Sequence, residues 1–126
     1  MSVRVTSGID IVEIQRIEQV VERWGSRFLQ RIFTDAEIDY CAGRPQSIAG
    51  RFAAKEAVSK ALGVGIQTFS WKDIEVSRGP HGKPIVTLHR NALRLAGDLG
   101  LTAVDISISH SARDAVAVAV AWGETP

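Results

Sequence analysis

The segment from Ser47 to Leu62 decides most of what this chain can fold into. It reads Ser-Ile-Ala-Gly-Arg-Phe-Ala-Ala-Lys-Glu-Ala-Val-Ser-Lys-Ala-Leu and is followed by Gly63, which is the pattern of a long helix capped by Ser47 and stopped by glycine. Ala49, Ala53, Ala54, Ala57 and Ala61 put small residues on one side, while Ile48, Phe52, Val58 and Leu62 spread over the others. A helix that is apolar nearly all round is packed nearly all round. Other elements must therefore enclose it. With 126 residues and 13.7 kDa, the chain has room for one compact domain, residues 1–126, to do so.

The remaining periodicities supply that enclosure. Val3, Val5, Ile9 and Ile11 keep a period of two, so residues 3–11 read as a strand. From Val12 the spacing turns helical through Ile14, Ile17, Val20, Val21 and Trp24, and Gly25 ends it. Thr34 with Glu37 three residues later is a capping box that opens a second helix, and Gly43-Arg44-Pro45 is a turn. Trp71–Ser77 and Pro84–His89 are β-rich runs joined across residues 78–83, Asn91–Leu99 is a short helix, and Ala103–Ser109 and Ala115–Trp122 are two final strands. Strand, helices, hairpin, helix, hairpin is the order of an α+β fold with a mainly antiparallel sheet around a long central helix.

Charge and cysteine usage exclude several classes. Fifteen Lys and Arg against fourteen Asp and Glu leave a net charge of +1, which does not support a generally basic nucleic-acid binder. The single cysteine, Cys41, allows neither an internal disulfide nor a multi-cysteine zinc site, and it suits a reducing compartment. The longest apolar run, Ala115–Trp122, is eight residues, far below the ~18 of a membrane span. No charged start, apolar stretch and cleavage site mark a secretory signal, so a cytoplasmic protein is expected.

Two carboxylates stand where structure alone does not ask for them. Asp10 sits between Ile9 and Ile11 in a strand, two residues after Gly8, a residue that lets another backbone or a ligand come close. Glu56 lies in the enclosed helix with Arg51, Lys55 and Lys60. The plain readings are a capping box of Asp10 with Glu13 and an i,i+4 salt bridge of Glu56 with Lys60. An exposed pair contributes only about 0.3–0.5 kcal/mol, whereas desolvating its ions costs several kcal/mol each, so pairing alone does not justify those charges in a central helix. A carboxylate and two amines beside a cleft suit a metal and an anion. Asp10 and Glu56 together would suit Mg²⁺, which takes one or two protein carboxylates, while Lys60 with Gly63 and Gly65 could hold phosphate oxygens.

Other motifs are weaker. Gly63-Val64-Gly65 is neither a Walker loop nor a dinucleotide fingerprint, and Gly82-Lys83-Pro84 reads as a hairpin turn. His81, His89 and His110 have no metal-ligand spacing. Arg16, Gln19 and Arg23 form a polar stripe on the first helix, followed by Arg27 and Arg31. It is either a solvated face or a surface that steers an acidic partner.

In series, these segments resemble the bacterial holo-acyl-carrier-protein synthases, the short class of 4′-phosphopantetheinyl transferases. The matching pieces are Gly8-Ile9-Asp10-Ile11-Val12 with Arg16-Ile17, Arg51-Phe52-Ala53-Ala54-Lys55-Glu56-Ala57-Val58-Ser59-Lys60-Ala61-Leu62-Gly63, residues 71–76, Gly82-Lys83-Pro84 and Ile106-Ser107-Ile108-Ser109-His110-Ser111. The resemblance implies transfer of phosphopantetheine from coenzyme A to a serine of apo acyl carrier protein, in support of fatty acid biosynthesis, with release of adenosine 3′,5′-bisphosphate. It implies Asp10 and Glu56 as Mg²⁺ ligands, and Glu56 and Lys60 as catalytic groups. Glu56, or a water bound to the ion, is then the base. Arg51, Lys60, Gly63, Gly65, Pro84 and His110 become coenzyme A contacts, and Arg16, Arg23 and Arg27 dock the acidic carrier protein. A homotrimer with active sites between subunits is implied as well. The competing readings are a non-enzymatic oligomeric module that captures an acidic protein, and a trimeric lyase or mutase with no affinity for coenzyme A.

Overall fold

The computed structural model describes residues 2–63 and 69–125. Gly65, one of the expected phosphate contacts, lies outside the described residues. The chain runs β1 (Ser2–Glu13), α1 (Ile14–Trp24), α2 (Ser26–Ile32), α3 (Asp35–Cys41), α4 (Pro45–Ala61), β2 (Ile74–Arg78), β3 (Pro84–Leu88), α5 (Arg90–Asp98), β4 (Ala103–His110) and β5 (Asp114–Thr125). One sheet has the order β1-β5-β4 and the other pairs β2 with β3. All three pairings are antiparallel, as the α+β reading requires.

The long helix is central. In α4, Ala49, Ala53, Ala54, Ala57 and Val58 are fully buried. The alternating run in β5 turns Ala115, Ala117, Ala119 and Ala121 toward the core, where they meet α4 with Gly8 of β1. Small residues on both surfaces let helix and sheet approach closely. Leu62 and Phe69, Ile74 and Val76 of β2, Leu101, and Ile106 of β4 belong to the same core cluster. A second cluster, with Ile14, Ile17, Ile32, Phe33 and Ile48, holds α1 to α3 against the helix.

Several boundaries differ from the sequence reading. Arg44, not Ser47, is the N-cap of α4, and Pro45 starts it because its fixed φ suits the first helical turn. Gly25 does end α1, but α2 begins at once beyond it, where the sequence reading had no helix; only seven residues long, α2 is too short to display a period. Trp71–Asp73 form a 3₁₀ turn capped by Ser70, so the hairpin's first strand starts at Ile74. The Thr34–Glu37 capping box is present as read.

The orientation of β1 is the larger difference. Its apolar stripe, Val3, Val5, Ile9 and Ile11, faces away from α4, and each of these residues is more than 60% exposed. Val118, Val120 and Trp122 of β5 continue the same outer face. The side of β1 toward the helix carries Gly8 and Asp10 instead.

Candidate functional site

Asp10 reaches α4 because Gly8 has no side chain. A Cβ on Gly8 would lie 2.0 Å from the Ala57 carbonyl oxygen and 2.8 Å from the Ala61 nitrogen. With strand and helix this close, the residue two positions on faces the same way and meets the last turns of α4. Lys60 Nζ donates to the Ile9 carbonyl at 2.9 Å and to Asp10 Oδ1 at 3.2 Å. Neither plain reading of the carboxylates holds. The N-cap of α1 is Glu13 with no side-chain cap, and the ion pair of Lys60 is with Asp10 rather than Glu56.

Glu56 lies one turn before Lys60 on the same helix face, half-buried. Burial pushes its carboxyl above the usual carboxylate range; the Asp10 charge raises it further, and Lys60 opposes both. Among the described residues, no donor hydrogen-bonds the Glu56 carboxylate. The described residues contain no group of three or more His, Cys, Asp or Glu able to hold a metal. The set is thus two carboxylates and an ammonium. It fits a hard cation that keeps most of its shell for water and phosphate, and no softer metal. Gly63, with φ +78°, follows the end of α4, its N–H donating to the Lys60 carbonyl at 3.0 Å.

Lys55 does not join this group. It is fully buried on another face of α4, donating to Glu37 Oε1 at 2.9 Å and to the Trp71 and Ile74 carbonyls. Burial lowers the pKa of its ammonium, while the Glu37 carboxylate opposes that shift. A lysine in sequence can reach many places, and the missing signal was its partner eighteen residues away.

Arg51, Pro84 and His110 come together elsewhere. They line a cleft of about 300 Å³ between the start of α4, the end of α3, the turn before β3 and the end of β4. The Arg51 guanidinium stacks on the Tyr40 ring, 3.9 Å from its centroid. Arg51 Nε is buried without a hydrogen-bond partner. A buried donor left unmatched costs about 1–3 kcal/mol, which an anion in the cleft would relieve. Sequence reasoning missed Tyr40, because a lone tyrosine at a helix end carries no period or motif.

The predicted site residues therefore fall into two groups, with Asp10, Glu56, Lys60 and Gly63 in one and Arg51, Pro84 and His110 in the other. Arg51 and Glu56 are five residues apart on one helix, about 140° around its axis, so they address different spaces. Arg16, Arg23 and Arg27 are all exposed. Arg27 sits in α2 beside a hollow of about 400 Å³ lined by Val20, Trp24, Phe28 and Arg31.

An alanine-packed helix enclosed by two antiparallel sheets, presenting carboxylates on one side and a cleft with a buried arginine on another, defines a class of α+β protein. The comparisons specify which. Residues 6–121 match the family model of the 4′-phosphopantetheinyl transferase superfamily, and the chain belongs to that family of enzymes. It is 44% identical over 124 residues to the holo-(acyl-carrier-protein) synthase of Herpetosiphon aurantiacus, covering 93% of this chain and 98% of that protein. With the Moorella thermoacetica synthase it shares 49% over 117 residues, covering 90% and 91%. The Helicobacter pylori synthase solved in complex with coenzyme A superposes with a TM-score of 0.84 at 43% identity, covering 91% of this chain and 98% of that one. The Bacillus anthracis synthase, solved with CoA (3′,5′-ADP), gives 0.79 at 38%, covering 98% and 100%.

Proposed function

We propose that this chain, as one phosphopantetheinyl transferase domain, moves the 4′-phosphopantetheine group of coenzyme A to a serine of apo acyl carrier protein. The observation that carries the reading is the convergence of Asp10 and Glu56 beside Lys60, from two elements brought together by Gly8. Asp10 and Glu56 would hold Mg²⁺, which when bound neutralises charge developing on the diphosphate. Lys60 turns from Asp10 to the phosphate oxygens. The serine oxygen bonds to the β-phosphorus as the bond from that phosphorus to the oxygen of adenosine 3′,5′-bisphosphate breaks. Glu56 is the chain's own group for the serine proton. Arg51 and His110 take the leaving nucleotide's phosphates in their cleft, where Arg51 Nε gains an acceptor.

The two groups of residues then belong to one site only if a neighbouring subunit supplies the second. The outward apolar face of β1 and β5 supports that reading. A row of valines, isoleucines and a tryptophan on an open sheet face favours self-association. Placing an aspartate there, as in Val5→Asp, costs several kcal/mol if the face is covered. Light scattering on the native protein should give a trimer, and the variant should dissociate and lose transfer in parallel. A native protein that is monomeric and fully active would remove the intersubunit arrangement. Arg16, Arg23 and Arg27 form the basic approach for the acidic carrier protein, and a cytoplasmic location with a role in fatty acid biosynthesis follows from that partner.

The direct test is mass spectrometry of apo carrier protein incubated with the chain, coenzyme A and Mg²⁺. A phosphopantetheine mass increase is expected, and EDTA should prevent it. No increase under any divalent ion would leave the carrier-capture module as the better account.

A further inference from the structure

We propose that Lys55 and Glu37 are positioning residues for the nucleotide cleft, fixing α3 against α4 so that Tyr40 lies under the Arg51 guanidinium. The inference rests on the proposed reading of that cleft as the site of the nucleotide phosphates. Its basis is a ladder between two helices. On α4, Arg51 and Lys55 are four residues apart and share a face; on α3, Glu37 and Tyr40 are three apart and share another. One rung is the buried ion pair, with Lys55 Nζ 2.9 Å from Glu37 Oε1. The other is the Arg51–Tyr40 stack.

The first rung is fixed on every side. Glu37 Oε1 also accepts the Thr34 backbone N–H at 2.8 Å, and Oε2 accepts that of Val76 at 2.8 Å. Lys55 holds the Trp71 and Ile74 carbonyls. The pair thus joins α3, α4 and the entry to β2 at a single point. The second rung lines the cleft with Arg51 buried and Tyr40 half-buried, and Arg44 steadies the tyrosine by lying over its ring at 5.3 Å and donating to its carbonyl at 2.6 Å. Buried ion pairs are weak stabilisers relative to apolar replacements of similar volume, so geometry is the better explanation of this one. A guanidinium held flat on a ring by a rigid support offers its edge to an anion in a fixed direction.

The experiment compares Lys55→Met/Glu37→Gln with the native protein, Arg51→Ala and Tyr40→Leu. Removing both charges avoids leaving one of them buried and unpaired. Titration calorimetry with adenosine 3′,5′-bisphosphate should show about ten-fold weaker binding for the double variant. The KM for coenzyme A should rise to match, while kcat and the KM for carrier protein stay within about two-fold. Adding Tyr40→Leu to the double variant should weaken binding no further, because both changes undo one arrangement. Where that double variant does not fold, Lys55→Gln/Glu37→Gln, which also removes both charges but keeps hydrogen-bonding side chains, should shift nucleotide affinity in the same direction. A folded variant of either kind that binds the nucleotide like the native protein, while Arg51→Ala does not, overturns this inference alone. A native protein without affinity for the nucleotide overturns the reading of the cleft and the inference with it.

Discussion

Glu56→Gln and Asp10→Asn should each lower phosphopantetheine transfer by about a thousand-fold or more, the scale on which a single electrostatic contact to developing charge acts. Each change removes one of only two carboxylates facing Lys60, and the described residues offer no third carboxylate to replace it. The fold should survive both. The Lys60–Asp10 pair is partly exposed, with Lys60 about half in water, and such pairs contribute little to stability. Burial and the Asp10 charge raise the Glu56 pKa against the opposing Lys60 charge, so ionised Glu56 adds little to the fold, and an amide of the same size is a mild change for packing. Thermal unfolding should move by no more than a few degrees, with each variant retaining its native oligomeric state. Full transfer activity in either one would end the assignment of the pair to a cation. Loss of activity together with loss of fold would mean that the carboxylates are structural.

How much of this was legible in the sequence depends on the range of the interaction. The α+β class, the central helix, the Thr34–Glu37 box and the glycine stops at 25 and 63 are local patterns, and the structure keeps them. The capping box of Asp10 and the Glu56–Lys60 bridge are local patterns too, and both gave way to a long-range one: Asp10 and Lys60 are fifty residues apart in the chain. Lys55 found Glu37 and two backbone carbonyls for the same reason. The stripe in β1 shows a different limit. Period two identifies a strand and its two faces, but not which face meets the core. Here the bulky side is outside and the side with glycine is within, because α4 requires closeness more than volume. A bulky apolar face left outside is itself a signal of a partner, one that alternation alone does not reveal.

Gly8 is where this inversion becomes testable. Replacing a glycine by alanine normally stabilises a chain by about 0.4–1 kcal/mol, through the freedom the unfolded state loses. At Gly8 the added methyl would stand 2.0 Å from the Ala57 oxygen, 2.8 Å from the Ala61 nitrogen and 2.9 Å from the Lys60 Cβ. The first two are backbone atoms, so no rotamer change can clear them, and trimming side chains on α4 would not help. Either β1 moves off the helix or α4 tilts, and both open the alanine contact that forms this part of the core. Over-packing of this kind costs roughly 3 kcal/mol or more, which outweighs the entropic gain and is a large share of the stability of about 5–15 kcal/mol of a typical domain. Gly8→Ala should therefore show a strongly lowered urea midpoint. Whatever folded fraction remains should transfer poorly, because separating β1 from α4 also separates Asp10 from Glu56. Gly50, which faces the Ile108 side chain at 3.0 Å, provides the contrast: that neighbour is a methyl group able to yield, so Gly50→Ala should cost less. A Gly8→Ala protein with a native midpoint and native activity would show that close approach is not what brings the carboxylates together.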